Sequence, residues 1–354
     1  NMAFISFQPH DHFDSLYYDG SDSTLTINSL AFKPDALLFK RSNGSNGDTI
    51  FNNSTRGVAH NWKPNQSVVS DTTVYVASYT SDGFTLTGNL ANTNNASDSY
   101  VGACWKANGA STTTNGAGVG GASIASVYQA NTTAGFSIVT YTGTGTAGTI
   151  KHGLSVAPKF IMVKNTEQAD RGKVLCMGTT FVADPQTDHT EFAYNGAGQD
   201  STAFNDTAPT TAVFSVGTDA MTNQDTKAME AYCFAEVQGY SKFGFYSGTG
   251  NARGTKIYCG FKPKMIVVKN IDATEDWAMK SPVRSSSVGT GGELKRTLKL
   301  NGGMGDNATI QAESNGFRMA SSDGKVNGTD VKYVYMAFAE MPMVGTNGTI
   351  ALGT

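Results

Sequence analysis

The sequence is poor in charged residues and has no long apolar run. Charged side chains make up 16% of the 354 residues, against about 25% in ordinary globular proteins. The formal net charge is -3, and the densest basic cluster is only Lys295, Arg296 and Lys299, which excludes nucleic-acid binding through a basic surface. No run approaches the roughly 18 apolar residues of a bilayer span, so we expect no membrane insertion.

The familiar signatures of catalysis and of cofactor binding are also missing. The four cysteines (Cys104, Cys176, Cys233 and Cys259) follow neither a zinc-site spacing nor a CxxC pattern. No nucleophile elbow, HExxH or phosphate-binding loop occurs. His152 lies where the other repeats have different residues, which favours packing over catalysis. The sequence therefore predicts a protein that is not an enzyme and needs no cofactor.

The chain does contain one pattern in three copies. In each copy a proline stands six residues before a lysine, with an apolar run between them: Pro34 and Lys40, Pro158 and Lys164, and Pro263 and Lys269. A Tyr-x-Gly triplet precedes each proline, at Tyr18, Tyr141 and Tyr246. An aromatic strand closes each copy, near Trp105, Phe234 and Phe338. Self-similarity of this length indicates repeated domains of about 100 residues.

These anchors divide the chain into five segments. Unit one spans 1–107, unit two spans 130–240 and unit three spans 241–343. Between units one and two, residues 108–129 are rich in Gly, Ala, Ser, Thr and Asn, which predicts a flexible linker. Residues 344–354 form a short polar tail.

Each unit reads as an antiparallel β-sandwich. The apolar runs are short and β-branched or aromatic, as in 74–79 and 136–141, and Asn-Gly and Asp-Gly pairs punctuate them. Helix signals are almost absent, because Gly, Ser, Thr and Asn disfavour helices. The predicted fold class is therefore all-β, with three tandem antiparallel β-sandwich domains of a jelly-roll-like kind.

The closing strand of each unit is apolar on both faces, which predicts a position in the middle of a sheet. Cys104 and Cys233 occupy matching places in this strand, and Ala337 takes that place in unit three. Each cysteine should then lie in the core of its own unit. We interpret them as buried apolar side chains without a disulfide between them.

His10, Asp11 and His12 form the one pattern that resembles a metal site. In a strand, His10 and His12 would share a face, so both imidazoles could bind one ion, with further ligands from other chains around a threefold axis. The alternative is a polar segment beside Pro9, because metal sites usually need more ligands than two.

Exposed tryptophans could bind sugars, and paired carboxylates could cleave them. Trp62 and Trp277 lie in the variable middles of their units, where either could be a stacking platform or local core. Trp105 lies on the closing strand and should be buried. Glu230 and Glu236 share a strand, but only Glu236 recurs, as Glu340, so a glycoside-cleaving pair is not favoured.

The segments 141–165, 231–237 and 239–250, which include Ala-Pro-Lys-Phe-Ile-Met-Val-Lys-Asn and Ala-Tyr-Cys-Phe-Ala-Glu-Val, carry a resemblance to a known family. Together with the opening 4–13, they resemble a repeated, poorly characterised domain in virion proteins of marine tailed phages. The resemblance implies a structural, tail-fibre-like appendage subunit that contacts a glycan or protein receptor on the host surface.

Its implied partners are other virion proteins and further copies of the chain, in a trimer by analogy with phage fibres. Its implied location is the tail or the capsid surface. Two alternatives stay open from the sequence: a capsid decoration or head-fibre protein, and a polysaccharide-degrading tailspike.

Overall fold

Each repeat folds into a large antiparallel sheet that carries a smaller sheet on its outer face. The computed structural model of the chain describes residues 7–43, 47–177, 187–281, 297–300, 304–305 and 309–340. Strands of two to eight residues provide nearly all of the regular structure there, as β-branched and aromatic runs between turn residues favour. The predicted all-β, antiparallel sandwich class is confirmed.

Unit one contributes eight strands. They are β1 (Phe13–Asp19), β2 (Leu25–Ile27), β3 (Ala36–Arg41), β4 (Ile50–Asn53), β5 (Asn61–Trp62), β6 (Val76–Thr80), β7 (Gly83–Leu86) and β8 (Ser99–Trp105). The large sheet has the order β1-β8-β3-β4-β5, and the small sheet has the order β2-β7-β6.

Unit two and the segment before it contribute ten strands. They are β9 (Thr113–Asn115), β10 (Ser126–Asn131), β11 (Phe136–Thr142), β12 (Gly148–Lys151), β13 (Phe160–Asn165), β14 (Lys173–Cys176), β15 (Asp188–Glu191), β16 (Gln199–Asp200), β17 (Val213–Val216) and β18 (Ala228–Phe234). The large sheet has the order β16-β15-β14-β13-β18-β11-β10-β9, and β12 pairs with β17 outside it.

Unit three contributes nine strands within its described residues. They are β19 (Ser241–Ser247), β20 (Lys256–Tyr258), β21 (Pro263–Asn270), β22 (Ala278–Lys280), β23 (Thr297–Lys299), β24 (Met304–Gly305), β25 (Ile310–Glu313), β26 (Gly316–Met319) and β27 (Lys332–Ala339). The large sheet has the order β19-β27-β21-β22-β23-β24, and the small sheet has the order β20-β26-β25.

Helical structure is brief. The one α-helix of the described residues, α1 (Ala220–Asn223), begins after Asp219, whose carboxylate accepts a hydrogen bond from the Met221 amide as an N-cap. Two 3-10 turns span Pro9–Asp11 and Thr202–Phe204. Across the described ranges, none of these segments has the length or the apolar character required to cross a lipid bilayer.

The closing strand lies in the same place in all three units. β8 lies between β1 and β3, β18 between β11 and β13, and β27 between β19 and β21. Its residues alternate between two apolar environments: in β8, Tyr100 and Cys104 face the small sheet, while Val101 and Trp105 face the other way. The prediction of a mid-sheet strand buried on both faces is confirmed.

The outer core of each unit fills the space between its large and small sheets. Cys104 lies in the outer core of unit one, Cys233 in that of unit two and Ala337 in that of unit three. All four cysteines are free thiols, and burial raises the pKa of Cys104 and Cys233 well above the ordinary value. Their prediction as buried apolar side chains in separate cores is confirmed.

The inner faces of the three large sheets meet in one shared core, which the sequence analysis did not anticipate. Unit one contributes Phe51, Trp62 and Trp105 among others, unit two contributes Phe160, Phe192 and Phe234, and unit three contributes Phe243, Trp277 and Phe338. Trp105 contacts Phe136, Phe234 and Phe338 with ring centroids 5.7 to 6.3 Å apart. The three units are therefore not separate bodies. They surround a common apolar core.

Equivalent contacts close the three units into a ring. The residue just before β4, β14 or β22 meets the end of β23, β5 or β15, respectively, in the neighbouring unit. Thr49 donates a hydrogen bond to the Leu300 carbonyl at 2.6 Å, and Trp277 Nε1 donates to the Glu191 carbonyl at 2.9 Å. Between units two and one, Gly172 lies against the Trp62 ring. Because each unit contacts the next in the same way, the arrangement approximates threefold symmetry.

The segment predicted to be a flexible linker is instead part of unit two. β9 and the start of β10 extend the large sheet beyond β11. The Asp35 carboxylate accepts hydrogen bonds from the amides of Ala107, Gly109 and Ala110, so the chain is held where it leaves unit one. The prediction for 108–129 was wrong because small polar residues can still pair as an edge strand when side chains satisfy the loop amides.

The lysine that ends each repeat anchor is buried. Lys40 donates to the Gly47 carbonyl, Lys164 to the carbonyls of Gln168 and Asp170, and Lys269 to those of Asn195 and Glu275. Burial lowers the pKa of each ammonium group to about 8. The repeated lysine therefore fixes the turn that follows β3, β13 or β21 by binding backbone oxygens.

Candidate functional site

The two candidate stacking platforms are core residues. Trp62 and Trp277 are each 1% exposed, and both belong to the shared core at junctions between units. The platform interpretation is wrong for both residues, because the ring closure turns the variable middles of the units inward. Trp105, which was expected to be buried, is 2% exposed.

The histidine pair does not form the strand-like metal site. Pro9–Asp11 is a 3-10 turn, so His10 and His12 do not share a strand face. His12 Nδ1 lies 2.9 Å from Asn131 Nδ2, and its ring stacks on Phe7 at 4.7 Å. His10 instead lies 3.2 Å from the Asp11 carboxylate. Among the described residues no group of three or more metal-ligating side chains occurs. His12 acts as a packing residue between units.

The glutamates at the end of the closing strand form ion pairs. Glu236 pairs with Lys242 at 2.7 Å, and Glu340 pairs with Lys262 at 2.8 Å. Glu230 has different neighbours: Arg56 Nε lies 3.8 Å away, and Asn53 Nδ2 donates to its carboxylate at 3.3 Å. Glu230 and Glu236 therefore engage separate partners rather than one shared space.

A cleft opens at the junction of units one and two, and we call it the first cleft. It has a volume of about 430 Å³, and its walls include Thr55, Arg56, Ser126, Thr140, Thr142 and Ala228. Glu230 is buried beside Arg56, and burial raises its pKa, with Arg56 acting in the opposite direction. The first cleft is the wider of the two, and threonine, serine and alanine side chains form much of its wall.

A second cleft opens at the junction of units two and three. It has a volume of about 220 Å³, and its walls include Val174, His189, Thr190, Phe245, Lys332 and Val334. Asp188 and Asp272 also line it. The backbone crosses this junction where the Gly198 amide donates to the Ile271 carbonyl at 2.7 Å. The second cleft is narrower, and an aromatic ring and apolar side chains form part of its wall.

Two polar atoms in the second cleft have no hydrogen-bond partner. Thr190 Oγ1 and His189 Nε2 are both unpaired, although their residues are only 4% and 5% exposed. Unpaired polar atoms at such burial are rare and call for a partner. The two side chains lie on opposite faces of β15, because Thr190 pairs with Val174 of the shared core whereas His189 contacts Ser201 on the other face.

His189 is not arranged for catalysis. Its Nδ1 lies 2.8 Å from Ser201 Oγ, and the same oxygen accepts a hydrogen bond from the Ala203 amide. Burial lowers the pKa of His189 to about 4, so the imidazole is neutral and weakly basic near pH 7. Among the described residues no carboxylate contacts Nε2, whereas in a hydrolase a carboxylate orients the second ring nitrogen of the histidine.

The two clefts occupy equivalent places in the ring. Strand pairing aligns Phe245 and Val334 of unit three with Thr140 and Glu230 of unit two. The third junction brings Ser15 and Ser281 within 2.8 Å of each other; residues 282–296, which continue from it, lie outside the described ranges.

Comparison with protein families identifies the family of this chain. A family profile described as a domain of unknown function (DUF7483) matches residues 8–342. The chain belongs to this family. The DUF7483 match runs through all three units and the strands between units one and two, so the family comprises the whole ring rather than one repeat. No curated protein matches the sequence.

Sequence reasoning missed the clefts and the residues that line them. Thr190 and Phe245 carry no local motif, and they line one cleft only because units two and three meet. Spacing within a repeat cannot reveal a site built by two repeats. The burial of Lys40, Lys164 and Lys269 could have been suspected, because a charged residue recurred at the end of each apolar run.

Proposed function

We propose that this chain is a non-enzymatic, structural subunit of a tailed-phage particle. In this proposal it is a tail-fibre-like appendage that contacts a host-surface glycan or protein receptor through the clefts between its units. The observation that carries the binding role is the second cleft, where the half-buried Phe245 lies beside Val174 and Val334 in a space of about 220 Å³ between units two and three. The resemblance of units two and three to marine phage virion proteins supplies the setting.

The ring architecture supports a structural role. Three sheets share one core and meet at equivalent positions at each junction, so the chain can hold its clefts in fixed positions. Other virion proteins are its proposed partners, with neither nucleic acid nor membrane insertion involved and no cofactor required. A homotrimer remains part of the proposal, although the three units of one chain could match a threefold-symmetric partner on their own.

Decoration of the capsid is the second candidate function. The approximate threefold arrangement of the units favours it, because capsid lattices offer threefold positions that such a body could occupy. The polysaccharide-degrading tailspike is a weaker candidate, since Glu230 and Glu236 engage separate cationic partners. Release of reducing sugar by the purified chain would establish that activity.

Immunogold electron microscopy of intact virions tests the proposal. We expect antibody against the full chain to place gold at the tail or its fibres, and we expect the purified chain to compete with virions for adsorption to host cells. Gold spread over the head would replace the appendage role by capsid decoration. Virions without any gold would contradict both candidate functions.

A further inference from the structure

We propose that the first cleft binds an acidic sugar, with the Arg56 guanidinium holding the carboxylate or sulfate group of that sugar. This inference rests on the proposed function, because it names the class of glycan that the appendage would recognise at this junction. The site belongs to two units, since unit one supplies Arg56 and the strands of unit two supply the wall beside it.

Arg56 is a partly buried cation with unused hydrogen-bond donors. Its side chain is 16% exposed, and its Nε lies 3.8 Å from the Glu230 carboxylate, which is too far for a hydrogen bond. The guanidinium donates no hydrogen bond to any of the described residues, although it carries several N–H donors. A charged group that has lost most of its water and has no hydrogen-bond acceptor is unfavourable until an anion completes its surroundings.

The large sheet of unit two presents hydroxyl groups to the same space. Strand pairing places four residues side by side across β9, β10, β11 and β18, on one face of the sheet: Thr114, Val127, Thr140 and Glu230. Thr142 follows two residues after Thr140 and shares this face. Thr114 and Thr142 are exposed and line the cleft. Because Arg56 contacts this face at Glu230, its guanidinium and these hydroxyl groups can bind one ligand.

The segment before unit two builds one wall of the first cleft. Among the described strands, β9 and β10 continue the large sheet beyond β11, whereas β1 and β19, the counterparts of β11, form the edges of their sheets. Thr114, Ala125, Ser126 and Val127 of this segment line the cleft. The residues 108–129, which the repeat does not require, therefore widen the sheet beside Arg56 into a binding surface.

The charges around the cleft favour a ligand with one negative charge. Among the described residues that line it, Arg56 is the only charged one. The charge of Arg56 acts on Glu230 and Glu167, but each of these carboxylates has a second cation. Lys164 acts on Glu230, and Lys227 pairs with Glu167 at 3.2 Å. A carboxylate or a sulfate ester matches the charge of Arg56 and offers the oxygens that a guanidinium binds in parallel.

The volume of the cleft indicates a sugar rather than a bare ion. It is about 430 Å³, and one water occupies about 30 Å³ of the liquid, so the cleft holds about fourteen waters. A lone carboxylate would fill only a small part of this space. The hydroxyl groups of a sugar ring both donate and accept hydrogen bonds, as do those of Thr114 and Thr142. The proposed ligand is therefore an acidic group carried on a sugar.

The second cleft serves as an internal contrast. Phe245 and Val334 take the places of Thr140 and Glu230 there. Its described lining includes two carboxylates, Asp188 and Asp272, against the single ammonium group of Lys332. Such a balance disfavours an anion. We therefore assign the acidic-sugar site to the first cleft alone.

Saturation-transfer NMR titration of the full chain tests the site, with D-glucuronate, D-glucose 6-sulfate and D-glucose as the probes. D-glucose is the matched neutral ligand, because it has the same ring as the two acidic sugars. We expect at least one acidic sugar to bind about tenfold or more tightly than D-glucose, as hydrogen bonds to a charged group provide. The two acidic sugars distinguish a carboxylate site from a sulfate site.

A conservative change at Arg56 tests the role of the guanidinium. Arg56→Lys keeps the charge but removes the planar fork of donors, so it should weaken binding of the acidic sugar about fivefold. Arg41→Lys is the matched control and should leave binding unchanged. Arg41 is 17% exposed and also pairs with a carboxylate, that of Asp98, but it lines neither cleft.

Glu230→Val should act in the opposite direction. It removes a carboxylate that competes with the ligand for Arg56, so the acidic sugar should bind more tightly than it binds the wild type. The double variant Arg56→Met, Glu230→Val should lose this binding. Because it removes both members of the ion pair, it should unfold at a urea concentration close to that of the wild type, and the loss of binding would then not reflect misfolding.

Three results would overturn the inference: absence of binding by both acidic sugars, equal binding of D-glucose, or unchanged binding in Arg56→Lys. Gold at the tail without binding of an acidic sugar would remove the site and leave the appendage role. Gold on the head with this binding intact would remove the appendage role and leave the site.

Discussion

The first and second clefts lie at equivalent junctions, yet their chemistry differs. Glu230, buried beside Arg56 and Asn53, forms part of the first junction. Val334 takes the matched place at the second, where Trp277 and Phe192 pack with ring centroids 5.1 Å apart. The difference shows that the repeat determines the geometry of the junctions, whereas a few substitutions determine the chemistry of each junction.

The largest expected effect on stability is at the second junction, between units two and three, where Trp277 is buried. Trp277→Ala should lower the free energy of unfolding by about 4 kcal/mol, because it opens a large cavity in the shared core. The same change at Trp62 should cost a similar amount. Urea denaturation of both variants measures this, and a loss below about 1 kcal/mol at Trp277 would contradict a core that spans all three units.

Phenylalanine variants sharpen this comparison. Trp277 Nε1 donates to the Glu191 carbonyl across the junction, whereas Trp62 Nε1 has no hydrogen-bond partner. Trp277→Phe should therefore cost about 1 kcal/mol more than Trp62→Phe. Equal costs would show that this hydrogen bond does not stabilise the junction.

The next largest effect concerns the first junction, where Glu230 is buried beside Arg56. Arg56→Met should lower the free energy of unfolding by up to about 3 kcal/mol at pH 7, because it removes one of the two cations that act on the buried Glu230 and leaves only Lys164. Glu230→Val, which introduces the residue found at 334, should be neutral or stabilising. The double variant should recover most of the loss, and urea denaturation of the three variants forms a double-mutant cycle.

Glu230 also predicts a pH dependence. Burial raises its pKa in the folded state, so the folded chain binds more protons than the unfolded chain once the pH exceeds about 4. This carboxyl group then reduces stability as the pH rises. The free energy of unfolding of Glu230→Val should therefore increase relative to that of the wild type from pH 4 to pH 7. A relative decrease over this range would contradict the direction of the pKa shift.

Replacing a buried lysine should have a smaller effect on stability, and the effect should be similar in each of the three units. Replacing Lys40, Lys164 or Lys269 by Met leaves loop carbonyls unpaired, at a cost of about 2 kcal/mol each. A folded-state pKa of about 8 means that the unfolded chain binds more protons between about pH 8 and pH 10. Each of these lysines therefore makes the wild type more stable as the pH rises from 8 to 10.

The difference in free energy of unfolding between the wild type and each methionine variant should therefore increase from pH 8 to pH 10. Comparison with the wild type at each pH removes the contributions of other titrating groups. Lys269→Met should also weaken the second junction, since Lys269 reaches Asn195 of unit two, whereas the bonds of Lys164 stay within its own unit. A deficit that is independent of pH would contradict the lowered pKa.

The smallest effect should come from the glycines at the two junctions. A Cβ at Gly172 would lie 2.4 Å from the Trp62 ring, whereas one at Gly198 would lie 3.2 Å from the Ile271 carbonyl oxygen. Gly172→Ala should cost about 1 to 2 kcal/mol through overpacking, and Gly198→Ala should cost less. Thermal unfolding of both variants checks the order, and the reverse order would contradict the packing at the first junction.

The sequence was sufficient to predict what is decided within one repeat. The alternation of short apolar runs predicted the strands, and the doubly apolar closing strands predicted the mid-sheet positions of β8, β18 and β27. The matched places of Cys104 and Cys233 predicted separate outer cores. These features follow from local periodicity and composition.

What the sequence could not predict depends on contacts between repeats. Trp62 and Trp277 are buried only because the neighbouring unit covers them, and the strands in 108–129 form only because β11 offers a free edge. The second cleft depends in the same way on both units. An internal repeat indicates that units exist, but it does not indicate whether they stand apart or share a core.

Native-state hydrogen exchange of the full chain is the most direct test of a core shared by three units. The amides of β8, β18 and β27 lie in three different units around that core. We predict that all three exchange only through one global opening, with the same free energy and the same dependence on urea. Exchange of one of these strands through its own opening, at a clearly lower free energy than the other two, would contradict the shared core.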